Sequence, residues 1–269
     1  MKKNNFNNLD NVFAHAKILA KMNNFGLAIT EHQNHINNIV SVNKSHLKKI
    51  FKYCRFDVIN KMLLIYFTEK KPTIKKLKEL VINEGGVSIN SLTAFVDYLH
   101  FSKYITFEKN ENDKRCLLFY PTADLFNLMS ELLRSFAIPY INLTKKENFE
   151  INIEKFYKNY KKLLYNGLKP LNNNLEANIF LNHDSGHLIM LKIYTEYVKS
   201  NGYNLKLSQT ELAKYTSTSR THIKSILSNA YRNGVIIKNG DKIILSSRFK
   251  CACEKYFSLH MAIISFCLE

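Results

Sequence analysis

Residues 207–236 read LSQTELAKYTSTSRTHIKSILSNAYRNGVI, and this stretch decides the fold. Apolar residues recur through it at helical spacing, but small hydroxyl residues at 216–219 interrupt it. A hydroxyl oxygen accepts hydrogen bonds from the free N–H groups at a helix start, so Ser217 or Ser219 is expected to cap a second helix. The stretch predicts a short helix over 209–215, a tight turn and a second amphipathic helix. The inner face of that second helix consists of Ile223, Ile226, Leu227 and Ala230.

A β-hairpin is predicted directly after these helices. Residues 235–245 read VIIKNGDKIIL, in which Asn239-Gly240 is a strong signal for a two-residue hairpin turn. Helix, turn, helix and hairpin in this order form a winged helix. The outer residues of its second helix are polar and cationic, as a helix in the major groove of DNA requires.

The same order of elements occurs earlier in the chain, displaced by 131 positions. This displacement aligns Ser88 with Ser219, Leu92 with Ile223 and Ile105 with Ile236. Long helices are predicted over 57–68 and 186–199, a further short helix over 74–82 and a first hairpin over 104–120. Repetition at a fixed displacement is the signature of a duplicated structural unit.

The sequence therefore predicts a mainly α fold in which a helical body joins two winged helix-turn-helix modules, each with a short β-hairpin wing, as a pseudo-dimer. The expected divisions are an N-terminal helical segment (1–44), the first module (45–140), a helical linker (141–172), the second module (173–250) and a C-terminal helix (251–269). Outside the modules, helices are expected over 11–28, 125–136, 153–164 and 249–266.

Composition indicates a class of partner. Lys and Arg number 39 against 22 Asp and Glu, which gives a formal net charge of +17. Such an excess favours nucleic acid as the partner more often than an anionic membrane. No segment is expected to reach the roughly 18 to 20 apolar residues of a membrane span. No secretory signal is predicted, and the five scattered cysteines suit a reducing cytoplasm.

The second module resembles the helix-turn-helix of the CRP/FNR-type winged-helix regulators. The letters ELA (211–213), SR (219–220) and GVI (234–236) fall where that family has them. The resemblance implies that Arg220, Thr221 and Ser225 read base edges. The chain keeps the arginine but lacks the family's usual glutamate and second arginine, so the family's target sequence does not carry over.

The first module resembles the MarR family in VDYLHFSKYI (96–105), in the wing letters NDKR (112–115) and in FYPTADLFNLMSELL (119–133). Lys103 stands where that family usually has glycine, and Ile89 and Ala94 stand where polar readers are common. MarR-like regulators are normally homodimers, so the chain is expected to act as a monomeric pseudo-dimer or as a homodimer. The resemblance also implies a small-molecule effector that binds between the helical body and the modules.

The expected DNA contacts lie on the second helix of each module, on the turn before it and on the wings. The helix of the first module offers Ser88, Asn90, Ser91 and Thr93 but no cation, so no perfect palindrome is expected. His222 suits a structural role as well as a DNA contact, and Asp113 and Arg115 are alternatively a pair that stiffens the wing. The remaining expected contacts are Lys109, Lys114, Arg115, Ser217, Thr218, Ser219, Arg220, Thr221, Lys224, Ser225, Lys238 and Lys242.

Catalytic and metal chemistry is weakly indicated. NHDSGH (182–187) has two histidines four residues apart, but Asp184 or Ser185 is better explained as the cap of the helix that begins near Gly186. Cys251-x-Cys253 lacks a partner pair and suits a buried or idle thiol better than a redox switch. The chain is expected not to be an enzyme and to have neither a metal nor a cofactor.

Three functions follow from these patterns. The first is a sequence-specific regulator of transcription that binds double-stranded DNA with two helices in successive major grooves. The second is a plasmid-type replication initiator, which also carries tandem winged helices and binds repeats at an origin. The third is an interaction module that binds protein and whose charge is incidental.

Overall fold

The computed structural model describes residues 3–82, 87–110, 113–147, 149–171, 174–200, 204–205, 207–239 and 242–269. These ranges form a mainly helical fold, as predicted, with two small antiparallel sheets. The helices are α1 (Lys3–Ala20), α2 (Phe25–Ile50), α3 (Tyr53–Thr68), α4 (Ile74–Ile82), α5 (Ile89–Phe101), α6 (Ala123–Thr144), α7 (Ile153–Tyr165), α8 (Leu175–Leu181), α9 (Gly186–Lys199), α10 (Gln209–Thr216), α11 (Arg220–Arg232) and α12 (Ser247–Leu268). The strands are β1 (Ile105–Asn110), β2 (Asp113–Pro121), β3 (Asn204–Leu205), β4 (Ile236–Asn239) and β5 (Lys242–Leu245).

The first repeat unit consists of α3, α4, α5 and the hairpin β1–β2. Ser88 caps α5, because its Oγ accepts a hydrogen bond from the Ser91 N–H at 3.3 Å. Thr73, just before α4, forms an isolated antiparallel bridge with Leu118 on β2. The hairpin is therefore attached to the turn between α3 and α4 as well as to α5.

The second repeat unit consists of α9, β3, α10, α11 and the hairpin β4–β5, with strand order β3-β5-β4. Ser219 is the cap of α11, because its Oγ accepts from the His222 N–H at 3.1 Å. Ser217, the other expected cap, instead ends α10 in the left-handed conformation, with φ 53°. The predicted Asn239-Gly240 turn lies partly outside the described residues, but Asn239 pairs with Lys242 as a hairpin requires.

The two repeat units share backbone details at the displacement that the sequence indicates. Ser88 and Ser219 hold equivalent cap positions, and Lys103 and Gly234 follow the capped helices with φ of 61° and 66°. The next residue in each unit donates its N–H back to the helix over 2.9 Å, from Tyr104 to Leu99 and from Val235 to Ala230. The two units therefore share the serine cap, the positive φ after the helix and the hydrogen bond that follows it.

The helical body contacts both repeat units and consists of α1, α2, α6, α7, α8 and α12. In it α12 packs against α1 and α7, and α2 packs against α6 and against α9 of the second unit. The core is continuous through the body and both units. Helices of the body therefore position the two units.

Helix α12 corrects one expectation from the sequence. Its 22 residues are long and apolar enough, by length and composition, to cross a membrane. However, 72% of its most apolar window is buried inside the fold, against the helices of the body. This burial is typical of a core helix, and it accounts for the apolar composition.

The N-terminal region also differs from the sequence prediction. The single helix expected over 11–28 is two helices, because the chain turns at 21–24, where Asn23 and Asn24 compete with helical hydrogen bonds. The second of these helices, α2, continues to Ile50. Helices α2, α6 and α12 thus run through the limits placed after residues 44, 140 and 250.

Candidate nucleic-acid interface

Helix α11 has one buried face and one cationic face. Its four predicted inward residues are buried, Ile223, Ile226 and Ala230 completely so. Arg220, Thr221, Lys224 and Ser225 are exposed on the other side. Within the described ranges neither Arg220 nor Lys224 has a carboxylate partner, whereas many lysines elsewhere do. The outer face of α11 is therefore positive and uncompensated, which suits a polyanion.

The hydroxyl residues before α11 fix the turn. Thr216 Oγ1 lies 2.8 Å from Thr218 Oγ1 and donates to the Leu212 carbonyl at 2.7 Å, so Thr218 Oγ1 donates to Thr216 Oγ1. Ser219 Oγ accepts from the helix backbone but keeps its own O–H, since a hydroxyl both donates and accepts. Ser217 is exposed. Among the expected contacts on the turn, Ser217 and Ser219 retain a free donor for a phosphate.

Helix α5 presents an exposed face without cations. Ser88 Oγ donates to Ser91 Oγ at 2.9 Å, and Thr93 Oγ1 donates to the Ile89 carbonyl at 3.0 Å, so these hydroxyls are bonded within the helix. Asn90 is exposed, and its side-chain carbonyl oxygen and NH2 group are both available for hydrogen bonds. Asp97 is exposed further along the helix. The two equivalent helices, α5 and α11, which we call the reading helices, therefore differ in charge.

The wings are described only in part. Lys109 and Arg115 are exposed on the first hairpin, and the Asp113 carboxylate accepts from the Arg115 backbone N–H at 3.0 Å. The acid thus stiffens the wing through the backbone. The side chains of Lys114, Lys238 and Lys242 lie outside the described part of the chain.

A set of lysines that the sequence analysis did not select lies at the start of α4. Lys70, Lys71 and Lys75 are exposed there, and Lys76 is paired with Glu69 at 2.5 Å. Cations at a helix N-terminus oppose the helix dipole, so they do not serve the stability of α4. The lysine doublets of EKKPTIKK (69–76) are the signal that would have found them. In the first unit the positive charge lies beside α4 and not on α5.

Lysines on α7 of the body are in part paired with carboxylates. On α7, Lys158 pairs with Glu154 at 2.5 Å, and Lys161 pairs with Glu69 at 2.9 Å. Lys155 on the same helix donates to the Leu268 carbonyl. Two of the four lysines of α7 are therefore paired with carboxylates, which reduces the positive charge that this helix presents.

The segment His183–Ser185, which we call the junction segment, corrects another expectation. Helix α9 begins at Gly186 as predicted, but the side chains of Asp184 and Ser185 do not cap it. Ser185 occupies the cap position with φ 56°, and its Oγ donates to the Thr216 carbonyl at 3.2 Å. The Asp184 carboxylate instead binds Arg55, with Nη1 at 3.1 Å. Both side chains are used for tertiary contacts.

The two histidines of NHDSGH lie in different surroundings. The His183 ring contacts the His222 ring edge-on, with centroids 5.8 Å apart, whereas His187 is buried beside His32. Across the described ranges there is no group of three His, Cys, Asp or Glu that would hold a metal. Of the cysteine pair, Cys251 is exposed, and burial raises the pKa of the Cys253 thiol. Cys253 is therefore a poor nucleophile.

A chain of hydrogen bonds, which we call the histidine chain, lies inside the body. His32 Nδ1 is 2.9 Å from the Ser135 carbonyl, His32 Nε2 is 3.3 Å from His187 Nε2, and His187 Nδ1 is 3.3 Å from the Tyr256 hydroxyl. Because a carbonyl only accepts, His32 Nδ1 carries the proton. His187 then donates to His32 and accepts from Tyr256, so every ring nitrogen is satisfied. The histidine chain joins α2, α6, α9 and α12.

Burial keeps these histidines neutral. It lowers the pKa of His32 to about 3 and the pKa of the neighbouring His260 to about 4. It also lowers the pKa of His187 well below its ordinary value, and the proximity of His32 and His260 lowers it further. At neutral pH the interior of the body is therefore polar but uncharged along the histidine chain.

A cavity of about 90 Å³ lies next to the histidine chain. Its walls come from α2, α3, α6, α7 and α12 and are mainly aromatic and aliphatic. Asp57 and Asn60 add polar atoms, but Asp57 pairs with the buried Lys61 at 2.6 Å, and Asn60 Oδ1 accepts from the Tyr157 hydroxyl at 2.8 Å. The cavity is therefore apolar and carries no uncompensated charge from this pair.

No family model, no curated protein and no solved structure matches the chain. The functional argument therefore depends on the charge, burial and hydrogen bonds of the described residues. Among these features the cationic face of α11 points most directly to a ligand class.

Proposed function

We propose that the protein is a sequence-specific regulator of transcription that binds double-stranded DNA through two winged helix-turn-helix modules in one chain. The observation that carries the proposal is the exposed face of α11, on which the positive charges of Arg220 and Lys224 have no carboxylate partner among the described residues. A tight turn and the Ser219 cap fix the start of this helix. Such a face binds the phosphate backbone and base edges of the major groove. The two repeat units support the tandem arrangement.

In this proposal the two reading helices make different contacts with the DNA. Arg220 reads a guanine through its two-pronged guanidinium, and Lys224 neutralises phosphate. Asn90 on α5 reads an adenine, and the lysines beside α4 hold the backbone there. Since one helix carries exposed cations and the other carries none, the two half-sites have different sequences.

The resemblances to the MarR family and to the CRP/FNR-type regulators agree with this proposal. The MarR resemblance also implies an effector, and the cavity beside the histidine chain is the place that we propose for it. Its aromatic walls and its neutralised Asp57–Lys61 pair favour an uncharged, mainly apolar small molecule. A binding site with this composition excludes a highly charged metabolite such as a nucleotide.

The test is a selection of bound duplexes from a random DNA pool, followed by a salt titration of the duplex recovered. We expect one asymmetric site, with log affinity falling steeply against log salt as roughly 6 to 10 phosphate contacts require. The double variant Arg220→Glu/Lys224→Glu should abolish binding. The matched control Lys17→Glu/Lys21→Glu makes the same change of charge at two exposed positions, one on α1 and one directly after it, and should retain most of the affinity.

Two outcomes would favour the other functions. Recovery of sites that must be repeated side by side would support a replication initiator at an origin. Unchanged DNA affinity after charge reversal at Arg220 and Lys224 would contradict the proposal and support a module that binds protein.

A further inference from the structure

The junction segment connects the two repeat units through a single residue. The Asp184 carboxylate accepts from Arg55 Nη1 at 3.1 Å, and Arg55 lies on α3 of the first unit. The backbone carbonyl of the same Asp184 accepts from His222 Nε2 at 3.0 Å, and His222 lies on the reading helix α11. Asp184 therefore holds one element of each unit.

Arg55 extends this connection to the other reading helix. Its guanidinium carbon lies 5.9 Å from the centre of the Phe95 ring, and Phe95 is on the buried face of α5. A line of direct contacts thus runs from α5 through Arg55, Asp184 and His222 to α11.

The junction segment is fixed at its other contacts. Ser185 is held in the left-handed conformation and donates to the buried end of α10 at Thr216. Gly186 packs so closely that an added Cβ would lie 1.8 Å from the Phe180 carbonyl oxygen. A strained residue persists only where its surroundings over-determine it, so this segment is a rigid support and not a loose linker.

The partial exposure of the Arg55–Asp184 pair indicates that it fixes the relative position of the elements it joins more than it stabilises the fold. Side chains of Arg55 and Asp184 are 31% and 37% exposed, and partly exposed ion pairs contribute little to folding. Such a pair still restricts the relative movement of the elements that it joins. Its loss should therefore change geometry without unfolding the protein.

We propose that Asp184 is a positioning residue that fixes the separation and rotation of the two reading helices, and so the spacing between the two DNA half-sites. This inference depends on the proposed DNA-binding function. Half-sites of paired helix-turn-helix units lie about one helical turn, or roughly 10 base pairs, apart. A rigid pair of reading helices tolerates one spacing, whereas a pair free to rotate tolerates several.

The first experiment measures affinity for the selected duplex with its spacer changed in single base-pair steps. For the natural sequence, a change of two base pairs should prevent simultaneous engagement and lower affinity about 100-fold. For Asp184→Ala and Arg55→Met, we expect a loss below about tenfold across the same spacers. Affinity for a lone half-site of the second module should be unchanged.

Controls separate position from stability. Lys158→Met breaks the ion pair with Glu154 on α7 and should keep the sharp spacing preference. Asp184→Asn keeps the carbonyl bond to His222 and a polar side chain for Arg55, so it should restore part of the preference. A sharp preference that survives in Asp184→Ala would overturn the inference.

A second experiment needs no DNA. Spin labels at Ala94→Cys on α5 and Ser228→Cys on α11, both exposed positions, report the distance between the reading helices after Cys54, Cys116 and Cys251 are replaced by serine. Asp184→Ala should broaden the distance distribution, and an unchanged distribution would overturn the inference. If the natural sequence selects no DNA but the distribution broadens, the DNA-binding function fails and the positioning role of Asp184 stands.

Discussion

Acidification should destabilise the protein through its buried histidines before its carboxylates are protonated. The pKa of His32 is lowered to about 3, that of His260 to about 4, and that of His187 well below 6.5, whereas in the unfolded chain each is near 6.5. Below pH 6.5 these three histidines therefore bind protons in the unfolded chain but remain neutral in the folded chain. Stability is fully present above pH 6.5 and falls as the pH falls below it.

The magnitude follows from proton linkage. Between pH 7.5 and pH 5.5 His32 and His260 each remove about 1 kcal/mol from the free energy of unfolding, so the two together remove about 2 to 3 kcal/mol, and His187 adds to this loss in the same direction. This loss is a large part of the roughly 5 to 15 kcal/mol that stabilises a typical domain. Carboxylates with lowered pKa, such as Glu69 and Glu176, lose their contribution only at lower pH, near and below 4.5.

Urea unfolding followed by far-ultraviolet circular dichroism at pH 7.5, 6.5 and 5.5 measures this slope. The variant His260→Phe keeps an aromatic ring against Phe136 and Tyr256 but removes one titrating group. Relative to its own stability at pH 7.5, this variant should lose about 1 kcal/mol less than the natural sequence by pH 5.5. A free energy of unfolding that is constant from pH 7.5 to pH 5.5 would refute the reasoning.

Three further predictions concern single positions. Gly186→Ala should lower the melting temperature sharply or prevent folding, because the added Cβ meets the Phe180 carbonyl oxygen at 1.8 Å; wild-type stability in thermal unfolding would contradict this packing. Lys103→Gly should raise the free energy of unfolding by about 1 kcal/mol in urea, since φ is 61° there, and no gain would show that Lys103 is unstrained. Arg220→Ala should cost about 1 to 3 kcal/mol of DNA affinity and relax selection at one base pair, whereas a uniform loss over all sequences would indicate a phosphate contact.

Local patterns in the sequence predict the serine caps and the buried faces of α5 and α11. The spacing of Ile223, Ile226 and Ala230 and the cap at Ser219 depend on neighbours within one or two turns, so periodicity predicts them. Helices α4 and α9 have the predicted bounds for the same reason. The displacement of 131 positions aligns Ser88 with Ser219, and the structure shows both as helix caps.

Contacts between distant parts of the chain were not predictable in this way. Asp184 binds Arg55 across 129 positions, and His32 meets His187 across 155. A single sequence contains no periodic signal for such pairs, so Asp184 was assigned to the nearest local role, a helix cap. The helix-turn-helix pattern predicts DNA contacts on the second helix of each module, so it does not indicate the lysines beside α4.

Because both repeat units lie on one chain, the fraction of DNA sites that is occupied depends differently on the number of protein copies in the cell. A regulator assembled from two separate subunits dissociates on dilution, so at low abundance its occupancy of DNA rises with the square of the subunit concentration. A single chain that contributes both reading helices has no such association step, and its occupancy rises in direct proportion to its abundance. Under the proposed function, a cell with few copies of this protein would therefore obtain a graded response without a threshold.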